Sequence, residues 1–258
     1  MSLVEQAKKK AAHAAVDDYI AKHLQNVDEE APLVVGIGSG STIVYAVERL
    51  IEIVGEAKKA HGGKARQVVC IPTSFQATQL IQDAPHGLLH LGDLARHSVI
   101  DVAIDGADEV DANLQLIKGG GGCCTQEKIV AVNAKQFVVV ADYRKQSKLL
   151  GEKWRKGVPV EVIPISYKPL MRKFETLGGR PVLRMGEPAK AGPCVTDNGN
   201  FLIDVDFGTI ADPEGLHKEI KLLAGVVETG LFINMAEKAY FGLEDGTVSA
   251  ITKPLAKE

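Results

Sequence analysis

Five short apolar runs in the first 150 residues, Leu33 to Ile37, Val68 to Ile71, Val99 to Ile104, Leu114 to Ile117 and Phe137 to Val140, each end in glycine or polar residues. Helical patterns lie among them, including an amphipathic start carrying Val16, Ile20 and Leu24, and apolar spacing at Ile43, Val47, Leu50 and Val54. Strands that alternate with helices argue for a three-layer, mainly parallel α/β sheet domain of Rossmann-like type. Open parallel sheets take their ligands at the strand ends, so the residues there are the candidates for chemistry.

The richest strand end is the stretch 101–128. It delivers Asp105 and Asp108, then Lys118, four consecutive glycines (Gly119 to Gly122) and Glu127. Glycines that pack no side chain and are costly to order let main-chain amides approach a ligand closely. Thr125 reads as the N-cap of a helix through Ile129, Val130 and Ala131, which puts Glu127 in the first turn, where the dipole favours an ionised carboxylate. The carboxylate can take a proton, Lys118 can hold negative charge on a substrate oxygen, and Asp105 can exchange protons with hydroxyls. Taken singly, an aspartate makes a turn and a glutamate caps a helix. Four glycines beside a strand-borne lysine are harder to explain structurally.

A second glycine turn, Gly38-Ser39-Gly40-Ser41-Thr42, joins a strand to a helix N-terminus and forms an anion site. Ser41 stands where a dinucleotide fingerprint needs its third glycine, and no Gly-Lys precedes the hydroxyl as in a Walker loop, so a monophosphate fits better than a nucleotide. Pro72-Thr73-Ser74 enters another helix with Thr73 or Ser74 as N-cap, and Ala141-Asp142 leads to the cation Lys145.

After Gly151 the pattern changes to a strand (Val158 to Ile163), a helix (Leu170 to Leu177), a hairpin about Asp197-Asn198-Gly199, a helix (Pro213 to Leu223) and a strand (Val226 to Phe232). This predicts a small α+β domain of ferredoxin-like type. Four cysteines in 258 residues make no disulfide framework. His86 and His90 have i, i+4 spacing, but Pro85 and Gly87 oppose a helix there and nothing completes a metal site; they and His97 read as ordinary surface or core residues. A net charge of −3 argues against general nucleic-acid binding, and no apolar run approaches the roughly 18–20 residues that span a bilayer. The first residues lack a signal-peptide pattern, so the cytoplasm is the expected location.

Together these segments resemble ribose-5-phosphate isomerases of the A type, over nearly the whole chain. The resemblance rests on Gly38 to Thr42, Ile104-Asp105-Gly106-Ala107-Asp108-Glu109-Val110, Lys118 to Gly122 with Glu127-Lys128, Ala141-Asp142 with Lys145, Val158 to Pro164, and Val195-Thr196-Asp197-Asn198-Gly199-Asn200. Gln126, where bacterial members usually carry Arg, Cys123-Cys124, and the insert around Lys58 to Arg66 look more like a eukaryotic-type member.

The resemblance implies an aldose–ketose isomerase of the non-oxidative pentose phosphate pathway that needs no metal or cofactor. It implies Glu127 as the base working through a cis-enediolate, Lys118 as the oxyanion partner, and Asp105 and Asp108 as hydroxyl ligands, Asp105 being linked to ring opening. Ser39, Gly40, Ser41, Thr42, Gly106, Ala107, Gly119, Gly120, Gly121 and Lys145 bind substrate, with Ser41, Thr42 and Lys145 near the phosphate. A first-helix lysine also reaches the phosphate, and Lys9 is the expected one of Lys8-Lys9-Lys10. The resemblance also returns the segment from Asn234 to the first domain, so the expected domains are 1–150 with 233–258, and 151–232. A homo-oligomer is expected, dimer before tetramer. Fold alone leaves sugar-phosphate deaminases, acyl-CoA transferases and a non-catalytic sugar-phosphate sensor open. The Lys118-to-Glu127 spacing with the paired aspartates selects the isomerase.

Overall fold

The structure, a computed structural model, describes residues 1–25 and 30–253. In chain order the elements are α1 (Leu3–Tyr19), α2 (Ala21–Leu24), β1 (Leu33–Ile37), α3 (Ser41–Ala60), β2 (Val68–Pro72), α4 (Phe75–Gln82), β3 (His90–Leu91), β4 (Ile100–Asp105), β5 (Glu109–Val110), β6 (Leu116–Ile117), α5 (Cys124–Val132) and β7 (Ala134–Asp142). There follow β8 (Val158–Val162), α6 (Tyr167–Thr176), β9 (Arg180–Leu183), β10 (Phe201–Asp206), α7 (Pro213–Lys221), β11 (Val226–Thr229), β12 (Leu231–Phe232), β13 (Lys238–Gly242) and β14 (Val248–Thr252).

The chain divides into two compact units, one of residues 1–106, 129–143 and 236–258, the other of 107–128 and 144–235. The first unit is built on a seven-stranded sheet of order β14-β13-β7-β4-β1-β2-β3. Every neighbouring pair is parallel except the hairpin β13–β14. Strand β1 is buried along its whole length, as expected of a central parallel strand covered on both faces. Its alternate residues Leu33, Val35 and Ile37 share one core with Val16 of α1 and with Ile43, Val47, Leu50 and Val54 of α3.

Alanines at 7, 11, 12 and 15 keep the buried face of α1 thin ahead of Val16 and Tyr19, and the approach there is close: a Cβ at Gly242 would lie 1.9 Å from the Ala7 carbonyl oxygen. The other face of β1 receives Val130, 2.6 Å from where a Cβ at Gly36 would sit. The unit is therefore a three-layer α/β arrangement, as the alternating sequence pattern predicts.

In the second unit β8, α6, β9, β10, α7 and β11 form an antiparallel four-stranded sheet of order β11-β8-β10-β9, which is the ferredoxin-like topology. Val160, Val162, Ile203 and Val205 pack against Leu170 and Phe174 of α6 and Ile220 of α7. A smaller three-stranded sheet, β12-β6-β5, carries the stretch that leads to Lys118.

Two expectations change. Residues 107–128, 144–150 and 233–235 fall in the second unit, not the first: β5 pairs with β6 and β6 with β12 instead of joining the large sheet, and Val110 bridges Gln146 while Leu150 bridges Ile210. The strand predicted over Val226 to Phe232 is two strands in different sheets. They part at Gly230, where a Cβ would lie 2.2 Å from the Lys118 carbonyl oxygen.

Candidate active site

In the first unit the turn after β1 meets the ends of β2 and β4. The Ser39 N–H donates to Asp105 Oδ1 at 3.0 Å and the Gly106 N–H to the same oxygen at 2.7 Å. Asp105 is only 2% exposed, and a Cβ at Gly38 would lie 2.0 Å from its Oδ1, so residue 38 can carry no side chain. Ser39 Oγ lies 2.8 Å from Thr73 Oγ1 and donates to Ser74 Oγ at 2.6 Å, while Ser74 caps α4 by accepting from the Ala77 N–H. Gly40 holds φ at +98°, open to glycine, and its N–H donates to Gln76 Oε1 at 2.8 Å.

Ser41 and Thr42 open α3, so their hydroxyls and first-turn amides stand at the positive end of a 20-residue helix. The ammonium that reaches them is Lys8, which donates to Ser41 Oγ at 2.9 Å and pairs with Glu5 at 2.6 Å. Of the three lysines of the run, Lys8 is the one placed on the helix start, where Lys9 was expected. Both lysines lie within a turn of Glu5 on the helix face, and it is Lys8 that the ion pair with Glu5 directs onto Ser41.

The second unit holds the proton-transfer candidates. Lys118 Nζ lies 3.4 Å from Glu127 Oε1, with the two side chains 2% and 6% exposed. Glu127 sits in the first turn of α5, as predicted, and its N–H donates to the Cys123 carbonyl. The helix starts at Cys124, so Thr125 is inside it rather than its N-cap, and the buried Thr125 Oγ1 has no hydrogen-bond partner among the described residues.

Ala107 leads to Asp108, whose Oδ2 accepts from the Gly120 N–H at 2.6 Å. Burial pushes the Asp108 carboxyl above the usual carboxylate range, while the Gly120 amide, Lys118, Lys145 and Arg184 pull it back. Gly119 and Gly122 take φ of +94° and +89°, and the Gly121 position is open: a Cβ there would meet nothing within 4 Å. Lys145 stands at the turn after β7 with its ammonium 5.2 Å from the Trp154 ring centroid.

Several supporting residues escaped the sequence reading. Arg184 donates to the Gly119 and Gly120 carbonyls at 3.1 and 3.2 Å while held by Asp204. The Asp197-Asn198-Gly199 hairpin exists as predicted, and its neighbours explain its composition. Thr196, Asn198 and Asn200 all donate to Oε1 of the fully buried Glu161, and Asn198 also accepts from Gln126 of α5. Among the described residues no group of three or more His, Cys, Asp and Glu is arranged to hold a metal ion, and no helix is long and apolar enough to cross a membrane.

Residues 69–246 match the family described as ribose 5-phosphate isomerase A (phosphoriboisomerase A). The chain belongs to that family. It is 52% identical to ribose-5-phosphate isomerase of Sus scrofa, over 98% of this chain and 77% of that one. To the Candida albicans enzyme of the same name it is 53% identical, over 98% of both. The fold matches a D-ribose-5-phosphate isomerase solved in complex with phospho-erythronic acid, with a TM-score of 0.82 and 38% identity over 98% of this chain and 100% of that one. It also matches ribose 5-phosphate isomerase A of Methanocaldococcus jannaschii, with a TM-score of 0.78 and 40% identity over 95% and 98%. Family membership makes the chain an isomerase and excludes the deaminase, transferase and sensor readings that the fold alone left open.

Proposed function

We propose that the chain interconverts D-ribose 5-phosphate and D-ribulose 5-phosphate through an enediolate, with Glu127 as the base. In the open-chain aldose the C1 carbonyl acidifies the C2 proton. Glu127 removes that proton, the electron pair forms the C1–C2 double bond, and the charge gathers on the C1 oxygen, which the Lys118 ammonium stabilises. Return of the proton from Glu127 to C1, with the O2 proton passing to O1, leaves the ketone at C2.

The observation that supports this most is the Lys118–Glu127 pair, a base and an ammonium 3.4 Å apart and nearly dry. In such surroundings charge stabilisation is worth far more than in water. Asp108 and Asp105 take the roles of hydroxyl ligands, Asp105 in ring opening. The phosphate is assigned to the Ser41–Thr42 helix start with Lys8 in place of Lys9, and to Lys145. Phospho-erythronic acid, found with one relative, is an open-chain sugar acid phosphate and is of the ligand class these groups suit. The same reading includes action in the cytoplasm as a homo-oligomer, dimer before tetramer, which sedimentation measures.

The test is turnover of ribose 5-phosphate carrying deuterium at C2. A primary isotope effect and release of part of the label to solvent are expected. Complete retention of the label at C1 and C2 even after prolonged equilibration, when each molecule has reacted many times, would mean a hydride shift and refute the enediolate.

A further inference from the structure

One short segment, Glu228 to Phe232, holds both the base and its lysine. The Lys118 N–H donates to the Gly230 carbonyl at 2.8 Å, and β6 pairs with β12 through Ile117–Leu231 and Leu116–Phe232. Lys128, the residue after the base, is buried. Its ammonium donates to Glu228 Oε1 at 2.9 Å, the Thr229 carbonyl at 2.7 Å and the Leu231 carbonyl at 2.8 Å. An ammonium has three protons, and here each has an acceptor, so α5 cannot turn about its axis without breaking charge-assisted bonds.

Phe232 is fully buried, and both cations lie over its ring, Lys128 Nζ 4.8 Å and Lys118 Nζ 5.4 Å from the centroid. Both are inside the roughly 6 Å at which a ring quadrupole attracts a cation.

We propose that Phe232 and Lys128 are positioning residues for the proton transfer: Lys128 fixes the direction of Glu127, and the Phe232 ring holds the Lys118 ammonium beside it. The separation of 3.4 Å between Lys118 and Glu127 is longer than the roughly 2.7–2.9 Å of a tight charge-assisted bond. A tighter pair would spend the carboxylate's basicity on the ammonium. An aromatic face stabilises a cation without offering a proton acceptor, so Lys118 stays charged while Glu127 keeps its affinity for the carbon-bound proton. The ionisable groups facing Lys118 include Glu127 of α5 and Asp108, with Lys128 sharing the ring. Those around Lys128 are Glu228, Lys221, His217 and the Cys124 thiol.

This inference rests on Glu127 being the base. The test replaces Phe232 site-specifically with mono-, di- and trifluorinated phenylalanine, which withdraw electron density from the ring face while nearly preserving its shape. Across the series kcat should fall progressively, by about tenfold in all, with KM within about twofold. Because a weaker ring disfavours the ammonium, the alkaline limb of the kcat profile should move to lower pH by up to about one unit. An unchanged kcat and pH profile across the series would overturn the role of the ring.

Lys128→Met should lower kcat at least about tenfold, again with KM within about twofold, and Glu228→Gln should give the same split to a smaller degree. Wild-type kcat in Glu228→Gln and in any folded Lys128→Met protein would overturn the anchoring role. If Glu127→Gln abolishes turnover while all these variants keep it, this proposal fails alone. If Glu127→Gln stays active, the base assignment fails whatever the fluorinated series does.

Discussion

Asp108 is held by opposing forces: burial disfavours its charge, while the Gly120 amide and three cations favour it, and burial wins. A carboxyl whose folded value is raised contributes stability that is complete below its ordinary range, about pH 4, and is lost as pH rises through the folded value. Asp108→Asn should therefore raise the urea midpoint at pH 7, and the gap from wild type should narrow as pH falls toward about 4. The same variant should lose at least about tenfold in kcat/KM, because a charged acceptor for substrate hydroxyls is gone. Lys145→Ala tests the phosphate assignment: steady-state kinetics should show KM rising roughly tenfold with kcat little changed. Glu127, Lys118 and Asp108 were legible because strand ends and a glycine run announce them. Arg184, Gln76 and Phe232 were not, because each acts on partners remote in sequence that only the fold brings near. Lys8 rather than Lys9 stands on Ser41 because of its contacts with Glu5 and with a residue 33 positions away, which a run of three lysines conceals.

At the level of elements, two of the four glycines, Gly119 and Gly120, are explained by what their neighbours leave no room for. A Cβ at Gly120 would lie 2.5 Å from Asp108 Oδ1, so Gly120→Ala must displace the carboxylate. A displacement of about 1 Å in a site of this kind costs on the order of 10²-fold, and kcat/KM should fall by about that much, with the circular dichroism spectrum unchanged. Retention of full activity would mean that Asp108 does not touch substrate in this position. Most strands and helices could be read from their periodicity, and the hairpin at Asp197-Asn198-Gly199 from its turn residues. The break at Gly230 could not, since a glycine inside an apolar run does not fix a break, and its cause, Lys118 and Pro159 lying against it, shows only in space. The start of α5 was misplaced by the hydroxyl of Thr125, a good capping side chain that the helix instead buries in its first turn.

For the whole molecule, the alternating first half and the α+β second half predicted the two architectures, but the segment 107–128 changed sides. Its strands are two residues long, and the one that ties them to the second unit, β6, pairs with a strand more than a hundred residues away, so no local pattern could assign them. The account gives the electrophile's work to Lys118. Protein dialysed against a chelator should therefore keep its full rate in a ribose 5-phosphate assay, and recovery only on adding a divalent ion would contradict that assignment. The central claim is that Glu127 carries the proton between C2 and C1, and the most direct measurement is the turnover of Glu127→Gln on ribose 5-phosphate. The amide keeps the shape and loses the basicity. The account predicts a folded protein with substrate affinity little changed and kcat lower by roughly 10²- to 10⁴-fold. A folded Glu127→Gln protein that isomerises at near wild-type rate would contradict it and make another group, Asp105 first, the base.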